Sequence, residues 1–373
     1  MFDNIYKGRR VLVTGHTGFK GSWITLWLLE LGAKICGFSD DIPTDPANFV
    51  IQGLEKRIAH VKGDIRNFND VQSAFNRFRP EIVFHLAAQS LVRKSYDSPL
   101  QTFITNTTGT LNVLEAIRLS PDVKAGVIIT SDKCYHNSEW TWGYRENDTL
   151  GGDDPYSASK GCAELVIKSY NASYFSDSNK RVASTRAGNV IGGGDWAEDR
   201  IIPDLVRAWS DNKPVVIRNP DATRPWQHVF EPLSGYLWLG AKLMADSSDS
   251  PGSHGKYQEA FNFGPLSDSV YTVRSVLDTM AQYLSGASWK VENTDNFKKE
   301  SSLLKLCCDK ALHKLKWHSV LSFDETIEMT AKWYEAYYKS SLDQTFNKTR
   351  EISLDQLKAY VAIAKAKGLE WSK

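Results

Sequence analysis

The stretch RVLVTGHTGFKGSWITLWLLEL, Arg10–Leu31, decides the fold. Its first five residues, Arg10–Thr14, are mostly apolar and rich in valine, which is typical of a buried parallel strand. Glycines spaced G-x-x-G-x-x-G follow directly, and Ser22–Leu31 predicts a helix that ends at Gly32. Glycines let the backbone approach a pyrophosphate, and a helix N-terminus offers it free N–H groups and a positive dipole end. Strand, loop and helix together predict a dinucleotide-binding unit.

Strands and helices alternate through the first half of the chain. Further strands are predicted at Ala33–Phe38, Arg57–Val61, Glu81–Leu86, Val127–Thr130 and Arg181–Arg186, and helices at Phe68–Phe78, Pro99–Leu119 and Tyr156–Tyr174. Such alternation predicts an α/β fold with a doubly wound parallel sheet, whose ligands bind at the carboxyl edge. After Arg186 the predicted strands are short and turns are frequent. Helices are predicted there at Ile201–Asn212, Pro232–Ala245, Val273–Leu284, Leu303–Trp317 and Phe323–Tyr338. We expect one domain from residues 1–186 and 225–258, a second from 187–224 and 259–345, and a peripheral C-terminal helix in 346–373.

Composition excludes several classes of function. The chain has 373 residues, which suits about two domains, and its net charge of +1 does not favour a nucleic acid or an anionic membrane as partner. No apolar run approaches the ~20 residues that span a bilayer, and none precedes the first strand as a signal peptide would. Five cysteines without zinc-like spacing predict a reduced, cytoplasmic protein with no metal site.

A second stretch, Thr130–Lys160, follows a predicted buried strand and reads TSDKCYHNSEWTWGYRENDTLGGDDPYSASK. If Tyr156 begins a helix, Lys160 lies on the same face, four residues later. Ser131 then joins this phenol and ammonium at the carboxyl end of its strand. The alternative interpretation is a solvated loop followed by an amphipathic helix. The set favours a functional site because it follows a dinucleotide-binding pattern.

The glycine spacing and the Ser, Tyr-x-x-x-Lys set resemble those of the extended short-chain dehydrogenases and reductases. The resemblance implies a Rossmann-type sheet, a smaller α/β substrate domain and NAD as cofactor. It also implies that Asn106 is structural. His85 could be a catalytic base, but the small residues after it, which let the cofactor approach, favour a buried, hydrogen-bonded histidine at a strand end. Cofactor contacts are expected from Gly15, Thr17, Gly18, Phe19, Lys20, Gly21, Asp40, Asp64, Ile65, Leu86, Ala87, Ala88, Tyr156 and Lys160.

The residue that holds the adenosine ribose stays open. An acid about 20 positions after the glycines commonly does so. Asp40 is our choice, with Asp41 and Ser39 as neighbouring candidates. Alternatively, the two acids are ordinary residues of a turn. No arginine stands here to accept a 2′-phosphate, which favours NAD over NADP.

The two residues that follow Ser131 restrict the resemblance to a smaller group of enzymes. Nucleotide-sugar 4,6-dehydratases have an acid after the triad Ser or Thr, and the CDP-glucose 4,6-dehydratases resemble this chain in having Asp132 followed by Lys133. The segment R-P-W-Q-H-V from Arg224 and the pattern E-x-x-x-L-x-L from Glu300 are also similar to that family. The family implies a role in deoxysugar supply for bacterial lipopolysaccharide O-antigen. Substrate contacts are expected from Ser90, Asn189, Arg224, Asn262 and Glu300.

The implied reaction starts with oxidation at C4 of the sugar, where Ser131 orients the hydroxyl and Tyr156 removes its proton. Lys160 and the nicotinamide charge are expected to lower the pKa of Tyr156. Oxidation acidifies C5, so that Lys133, if neutral, can remove the C5 proton while protonated Asp132 releases the C6 hydroxyl as water. The resulting enone takes hydride at C6, and NAD is regenerated. Alternatively, Lys133 only anchors a substrate hydroxyl or a water.

Three hypotheses remain at this point. The first is a CDP-glucose 4,6-dehydratase, and the second is a dTDP- or GDP-sugar dehydratase or a 4-epimerase. The third is a non-catalytic NAD-binding scaffold, against which the complete Ser131, Tyr156 and Lys160 set argues. The spacing of residues in the sequence does not distinguish a cytosine nucleotide from other nucleotides as the substrate. By analogy with relatives we expect a homodimer, possibly a higher oligomer, formed by helices at Pro99–Leu119 and Tyr156–Tyr174.

Overall fold

The computed structural model describes residues 1–246, 255–265, 271–292 and 303–373. Its strands, in chain order, are β1 (Arg10–Thr14), β2 (Lys34–Ser39), β3 (Ala59–Lys62), β4 (Ile82–His85), β5 (Ala125–Ile129), β6 (Arg181–Arg186), β7 (Val190–Ile191), β8 (Val215–Ile217), β9 (Thr223–Arg224), β10 (Gln227–His228), β11 (Ala260–Asn262), β12 (Tyr271–Thr272) and β13 (Trp289–Val291).

The α-helices are α1 (Phe19–Glu30), α2 (Asn48–Ile51), α3 (Phe68–Phe78), α4 (Val92–Asp97), α5 (Pro99–Phe103), α6 (Gly109–Leu119), α7 (Pro155–Tyr170), α8 (Ile201–Ser210), α9 (Phe230–Asp246), α10 (Val273–Tyr283), α11 (Asp309–Leu315), α12 (Phe323–Tyr338) and α13 (Leu342–Ala366). Short 3-10 turns lie at Phe2–Asn4, Leu54–Lys56, Asp132–Cys134 and Glu370–Ser372, and π-helical turns at Ile104–Thr108 and Asn171–Phe175. Among the described helices, none is long and apolar enough to cross a bilayer.

A seven-stranded parallel sheet, ordered β11-β6-β5-β4-β1-β2-β3, forms the centre of the fold. β4 and β5 are buried along their whole length, as expected for strands covered on both faces. The order reverses between β1 and β4, and ligands of such sheets bind outside the carboxyl ends at this switch point. The predicted doubly wound α/β fold is confirmed.

Two predicted helices differ from the structure. The helix expected over Pro99–Leu119 contains the π-helical turn Ile104–Thr108. The helix expected over Leu303–Trp317 is limited to Asp309–Leu315. Before it, the backbone of Leu306 bridges to that of Tyr144, because apolar side chains at alternate positions pack there against the tyrosine rings.

The strand after the boundary predicted at residue 258 pairs with the main sheet. Ala260–Asn262 was expected in the smaller domain, but as β11 it pairs with β6 at the edge of the main sheet. Phe261 is fully buried there, and burial of this apolar side chain favours the pairing of β11 with the main sheet. The division into two domains otherwise stays a prediction.

The C-terminal helix is not peripheral, contrary to expectation. Tyr360, Ala364 and Trp371 are fully buried, and the Tyr360 and Trp371 rings stack with their centroids 5.6 Å apart. Trp371 also stacks on Phe2 at 5.3 Å. The end of the chain therefore belongs to the main hydrophobic core and ties it to the first residues.

A buried carboxylate joins this C-terminal segment to the rest of the fold. Glu231, near the start of α9, accepts hydrogen bonds from the backbone N–H groups of Val320 and Leu321 at 2.9 and 2.7 Å. It also accepts one from the Tyr360 hydroxyl at 2.9 Å. Burial raises the pKa of Glu231 to about 7, which these donors and Lys367 only partly oppose.

We therefore predict that Glu231 makes stability pH-dependent. The pKa of Glu231 is raised from 4.5 to about 7 in the folded state. Its contribution to the free energy of unfolding is therefore complete below pH 4.5 and is lost as pH rises through 7. The loss amounts to about 3 kcal/mol, since one pKa unit corresponds to about 1.4 kcal/mol. Denaturant unfolding at pH 4.5 and pH 8 should show this difference in the wild type relative to Glu231→Gln. Glu370→Gln, at an exposed residue, is the control, and a pH-independent difference for Glu231→Gln would contradict the prediction.

Candidate functional site

The glycine loop after β1 is held by very close backbone contacts. Gly15 has φ +70°, and a Cβ placed on it would lie 2.6 Å from the Ala87 nitrogen. A Cβ on Gly21 would lie 2.0 Å from the Gly15 carbonyl oxygen. Only glycine fits these positions, so the loop lies directly against the Leu86–Ala88 segment that follows β4.

The N-terminus of α1 suits an anion. Gly18 is the N-cap and supplies no side-chain cap, so the N–H groups of the first turn are left for another acceptor. Lys20 adds a cation in the same turn, where helices usually prefer acids. The pKa of Lys20 is lowered to about 8, mainly by burial and also by the positive charge of Arg200. The negative charge of Asp132 opposes this shift. These residues, with Phe19, fit the pyrophosphate of a dinucleotide.

At the adenosine end, hydroxyls rather than carboxylates face the loop. Thr17 Oγ1 lies 2.8 Å from Ser39 Oγ and 2.7 Å from the Asp41 carbonyl oxygen. Asp40 is exposed. Asp64 accepts from Arg66 Nε at 2.7 Å, and this hydrogen bond lowers the pKa of Asp64. The choice among Ser39, Asp40 and Asp41 for the ribose stays a prediction.

Ile65, expected beside the adenine, is buried, and Gly109 on α6 makes room for it. A Cβ on Gly109 would lie 2.6 Å from Ile65 Cδ1. The segment after β3 is therefore packed closely against α6.

Ser131 and Asp132 form a hydrogen-bonded pair at the end of β5. Ser131 is the N-cap of the short turn Asp132–Cys134, and its Oγ accepts from the Lys133 N–H at 3.2 Å. The same hydroxyl donates to Asp132 Oδ1 at 2.9 Å. Both side chains are buried, whereas Lys133 is half-buried.

Gly188 makes room for the Asp132 carboxylate. A Cβ on Gly188 would lie 1.9 Å from Asp132 Oδ2, so any other residue here would displace the acid. This glycine, which follows β6 by two residues, had no local signal that could connect it with Asp132.

Tyr156 and Lys160 lie on α7, which begins with Asp154 as N-cap and Pro155 in its first turn. Both side chains are buried. Burial raises the pKa of Tyr156 to about 12, a hydrogen bond with Ser131 lowers it, and the charge of Asp132 raises it. We expected Lys160 to lower the pKa of Tyr156. In the protein without a bound cofactor, burial has the largest effect on this pKa, and the net shift is upward. Burial also lowers the pKa of Lys160 to about 8, against the opposing charge of Glu164.

Two structural residues are confirmed in the roles that we expected. His85 Nδ1 lies 2.7 Å from Thr14 Oγ1, and its Nε2 lies 3.1 Å from Thr110 Oγ1. Burial lowers the pKa of His85 to about 3, as expected of a neutral core histidine. Asn106 donates to the Ser159 hydroxyl at 2.9 Å and accepts from the Gln89 N–H at 2.9 Å. It thereby links α7 to the segment after β4.

The predicted substrate residues fall into different environments. Ser90 is exposed and accepts a hydrogen bond from Arg200 at 3.3 Å. Asn189 is half-buried with φ +51°, and Arg224 is half-buried on β9. Glu300 lies outside the described residues.

Asn262 does not fit a direct substrate contact. Its side chain is fully buried. Its Oδ1 accepts from the Tyr135 hydroxyl at 2.8 Å, and its Nδ2 donates to the carbonyls of Tyr144 and Cys307 at 2.8 and 3.1 Å. Because the amide already has these partners, its role is to join β11 to the loop after β5.

Arg200 and Asp195 were missed by sequence reasoning. Arg200 binds Asp195 Oδ2 at 2.8 Å, and the charge of Asp195 raises its pKa. Arg200 also influences the pKa of Tyr156 and of Lys20, so it belongs to the same charged cluster. The segment GGGDWAEDR offered glycines and acids as a loop signal, but nothing local showed that the loop folds back onto Tyr156.

The chain is similar to known nucleotide-sugar dehydratases. A family model described as GDP-mannose 4,6 dehydratase matches residues 12–330. A CDP-glucose 4,6-dehydratase of Salmonella typhimurium is 47% identical over 94% of this chain and 97% of its own length. A dTDP-glucose 4,6-dehydratase of Xanthomonas campestris is 23% identical over 91% of this chain and 97% of its own.

Solved structures share the fold. An epimerase from Methanothermobacter thermautotrophicus superposes with a TM-score of 0.76 at 24% identity, covering 91% of this chain and 96% of that one. A dTDP-glucose 4,6-dehydratase from Bacillus anthracis, solved in complex with NAD, gives a TM-score of 0.73 at 22% identity, with 88% and 97% covered. The sequence matches confirm the resemblance stated above, and the chain belongs to the GDP-mannose 4,6 dehydratase family of extended short-chain dehydrogenases and reductases.

Proposed function

We propose that the protein catalyses the NAD-dependent 4,6-dehydration of CDP-D-glucose to CDP-4-dehydro-6-deoxy-D-glucose. One observation carries the proposal: the buried Asp132 carboxylate accepts a hydrogen bond from Ser131 at 2.9 Å, and both residues influence the pKa of the buried Tyr156. An elimination acid thus lies next to an oxidation pair. The relative at 47% identity, named a CDP-glucose 4,6-dehydratase, supports the substrate and the activity.

NAD fits the loop described above and, when bound, takes hydride from C4 and returns it to C6. Gly15, Gly18 and Gly21 would admit its pyrophosphate, and Lys20 would offset the phosphate charge. Leu86–Ala88 would lie under the nicotinamide ribose. The uncapped first turn of α1 is the observation that favours this occupant.

The oxidation uses three residues. Ser131 orients the C4 hydroxyl, and Tyr156 removes its proton. Tyr156 must ionise in a buried site, which opposes the phenolate. The Arg200 charge lowers the pKa of Tyr156 and so opposes part of this cost. Lys160 is proposed to add to this effect as a nearby cation, positive below pH about 8.

The elimination uses the next two residues. Asp132, when protonated, donates to the C6 hydroxyl as it leaves, and Lys133 accepts the C5 proton. Lys133 is half-buried in the same short turn as Asp132, next to it in the chain. At the nucleotide end, Arg224 suits the diphosphate, because a guanidinium matches phosphate oxygens in pairs. Asn189 and Ser90 complete the substrate contacts.

A cytoplasmic homodimer is part of the proposal. Apolar side chains on neighbouring helices are exposed and would be covered by a second copy: Leu100, Leu111, Leu165 and Tyr174. All five cysteines are free thiols, which suits a reducing compartment.

The first prediction concerns the substrate. CDP-glucose should give a 4-keto-6-deoxy product, detected by its alkali-induced absorbance, at a kcat/KM at least ~10-fold above that for dTDP-, UDP- or GDP-glucose. Tyr156→Phe should lose roughly 100-fold or more in turnover, because the proton acceptor is gone. Product from none of the four sugars would refute the proposal, and preference for another base would correct the substrate.

The second prediction tests the space beside Asp132. Gly188→Ala should lower turnover by roughly 100-fold, as Asp132→Asn should, because the new methyl group displaces the acid. Gly264→Ala is a matched control, since its Cβ would meet no atom closer than 3.4 Å. Turnover of both Asp132→Asn and Gly188→Ala within a few-fold of the control, at equal thermal stability, would remove Asp132 from the elimination.

The third prediction separates the two roles of Lys133. If the amine is the C5 base, both Lys133→Met and Lys133→Arg should abolish solvent exchange at C5, because a guanidinium does not deprotonate. If Lys133 only anchors a hydroxyl or water, Lys133→Arg should retain exchange. Deuterium incorporation at C5, followed by mass spectrometry, distinguishes the two outcomes.

A further inference from the structure

A buried ion pair lies beneath the catalytic segment. Glu164, one helical turn after Lys160 on α7, binds Arg186 at the end of β6 with 2.7 Å between Oε2 and Nη2. Each side chain is 3% exposed. Buried ion pairs lose much of their attraction to desolvation, so this pair is a weak source of stability. Its contacts point instead to a role in geometry.

Glu164 holds the start of the segment. Its Oε1 accepts a hydrogen bond from Thr130 Oγ1, and its Oε2 accepts one from Ser184 Oγ at 2.8 Å. Thr130 directly precedes Ser131. Burial alone would raise the pKa of Glu164, but Arg186, with the hydrogen bonds from Thr130 and Ser184, lowers it overall.

Arg186 holds the other end of the segment. Its Nη1 donates to the Tyr135 hydroxyl at 2.6 Å, and its guanidinium lies 4.7 Å from the centre of the tyrosine ring. The Tyr135 hydroxyl in turn donates to Asn262 Oδ1 at 2.8 Å. Tyr135 directly follows the turn Asp132–Cys134, so the two ends of Ser131–Cys134 are tied to one ion pair.

We infer that Glu164 and Arg186 are positioning residues for the dehydration, which set the place of Ser131, Asp132 and Lys133 relative to Tyr156 and Lys160. The inference rests on the proposed function for its kinetic readout. Neither residue touches the reacting atoms: both act through Thr130 and Tyr135. Misplacement of reacting groups by about 1 Å can cost roughly 100-fold in rate.

A gentle test uses Tyr135→Phe, which keeps the ring and removes only the hydroxyl between Arg186 and Asn262. Tyr144→Phe is the matched control. Tyr144 stacks on Tyr135 at 5.3 Å, is equally buried, and its hydroxyl bonds Ser138 N–H and Asn137 Oδ1 on the far side. Tyr135→Phe should lower kcat at least about 10-fold with KM for CDP-glucose within about threefold, and Tyr144→Phe should change neither.

A stronger test neutralises the pair. Glu164→Gln and Arg186→Gln should each lower kcat about 100-fold, and the double variant should lose little more than either one, because the two act as a unit. Asp246→Asn breaks the Arg181–Asp246 contact, 3.8 Å long, at the opposite end of β6 and should leave kcat unchanged. The inference would be overturned if kcat fell in proportion to the melting temperature in all variants, including the controls.

Hydrogen exchange gives a readout that does not need activity. Amides of residues 130–135 should exchange faster in Tyr135→Phe and Glu164→Gln than in Tyr144→Phe and Asp246→Asn, at equal global stability. Unchanged exchange in this segment would overturn the inference, whether or not the wild type acts on CDP-glucose. Normal wild-type exchange with no product from any sugar would instead refute the proposed function alone.

Discussion

The pairing of β5 with β6 is the constraint on which the site depends. Ile129 stands opposite Thr185, and the Thr130 N–H donates to the Thr185 carbonyl at 2.9 Å. This register brings the segment after β5 alongside the segment after β6, so that Asp132 meets Gly188. A slip of one residue would turn alternate side chains to the opposite face and put a side chain where Gly188 now leaves space. The sheet thus determines where the acid lies as well as where the strands end.

The site concentrates charge where water is scarce. The charges of Arg200, Asp132 and Lys160 all act on Lys20, and burial lowers the pKa of both lysines to about 8. A protein tolerates such a cluster only if the charges balance or if a ligand completes it. A dinucleotide pyrophosphate would add negative charge beside Lys20. The cluster is therefore arranged for an occupied site, and its charges are best matched when an anion is bound.

Sequence reasoning succeeded where the signal was local. β1, the glycine loop and α1 follow from adjacent residues, and α3 was predicted with the bounds Phe68–Phe78 that the structure shows. The Tyr156 and Lys160 pair follows from helical spacing. Failure came with long-range contacts: Leu304 and Leu306 pack on Tyr144 about 160 residues earlier, and so the chain there is extended. The amide of Asn262 also depends on distant partners, Tyr135 and Tyr144, and Arg200 contacts the distant Ser90.

One hydroxyl connects the two halves of the proposed reaction. Ser131 has a single hydroxyl proton, which it donates to Asp132 while its oxygen accepts from the Lys133 N–H. Once Asp132 is protonated, the acid becomes a donor, and Ser131 can turn its own proton towards another acceptor. In the proposed mechanism, the protonated acid that the elimination requires also leaves the Ser131 proton for the substrate hydroxyl. The Ser131–Asp132 contact would thereby link oxidation to elimination.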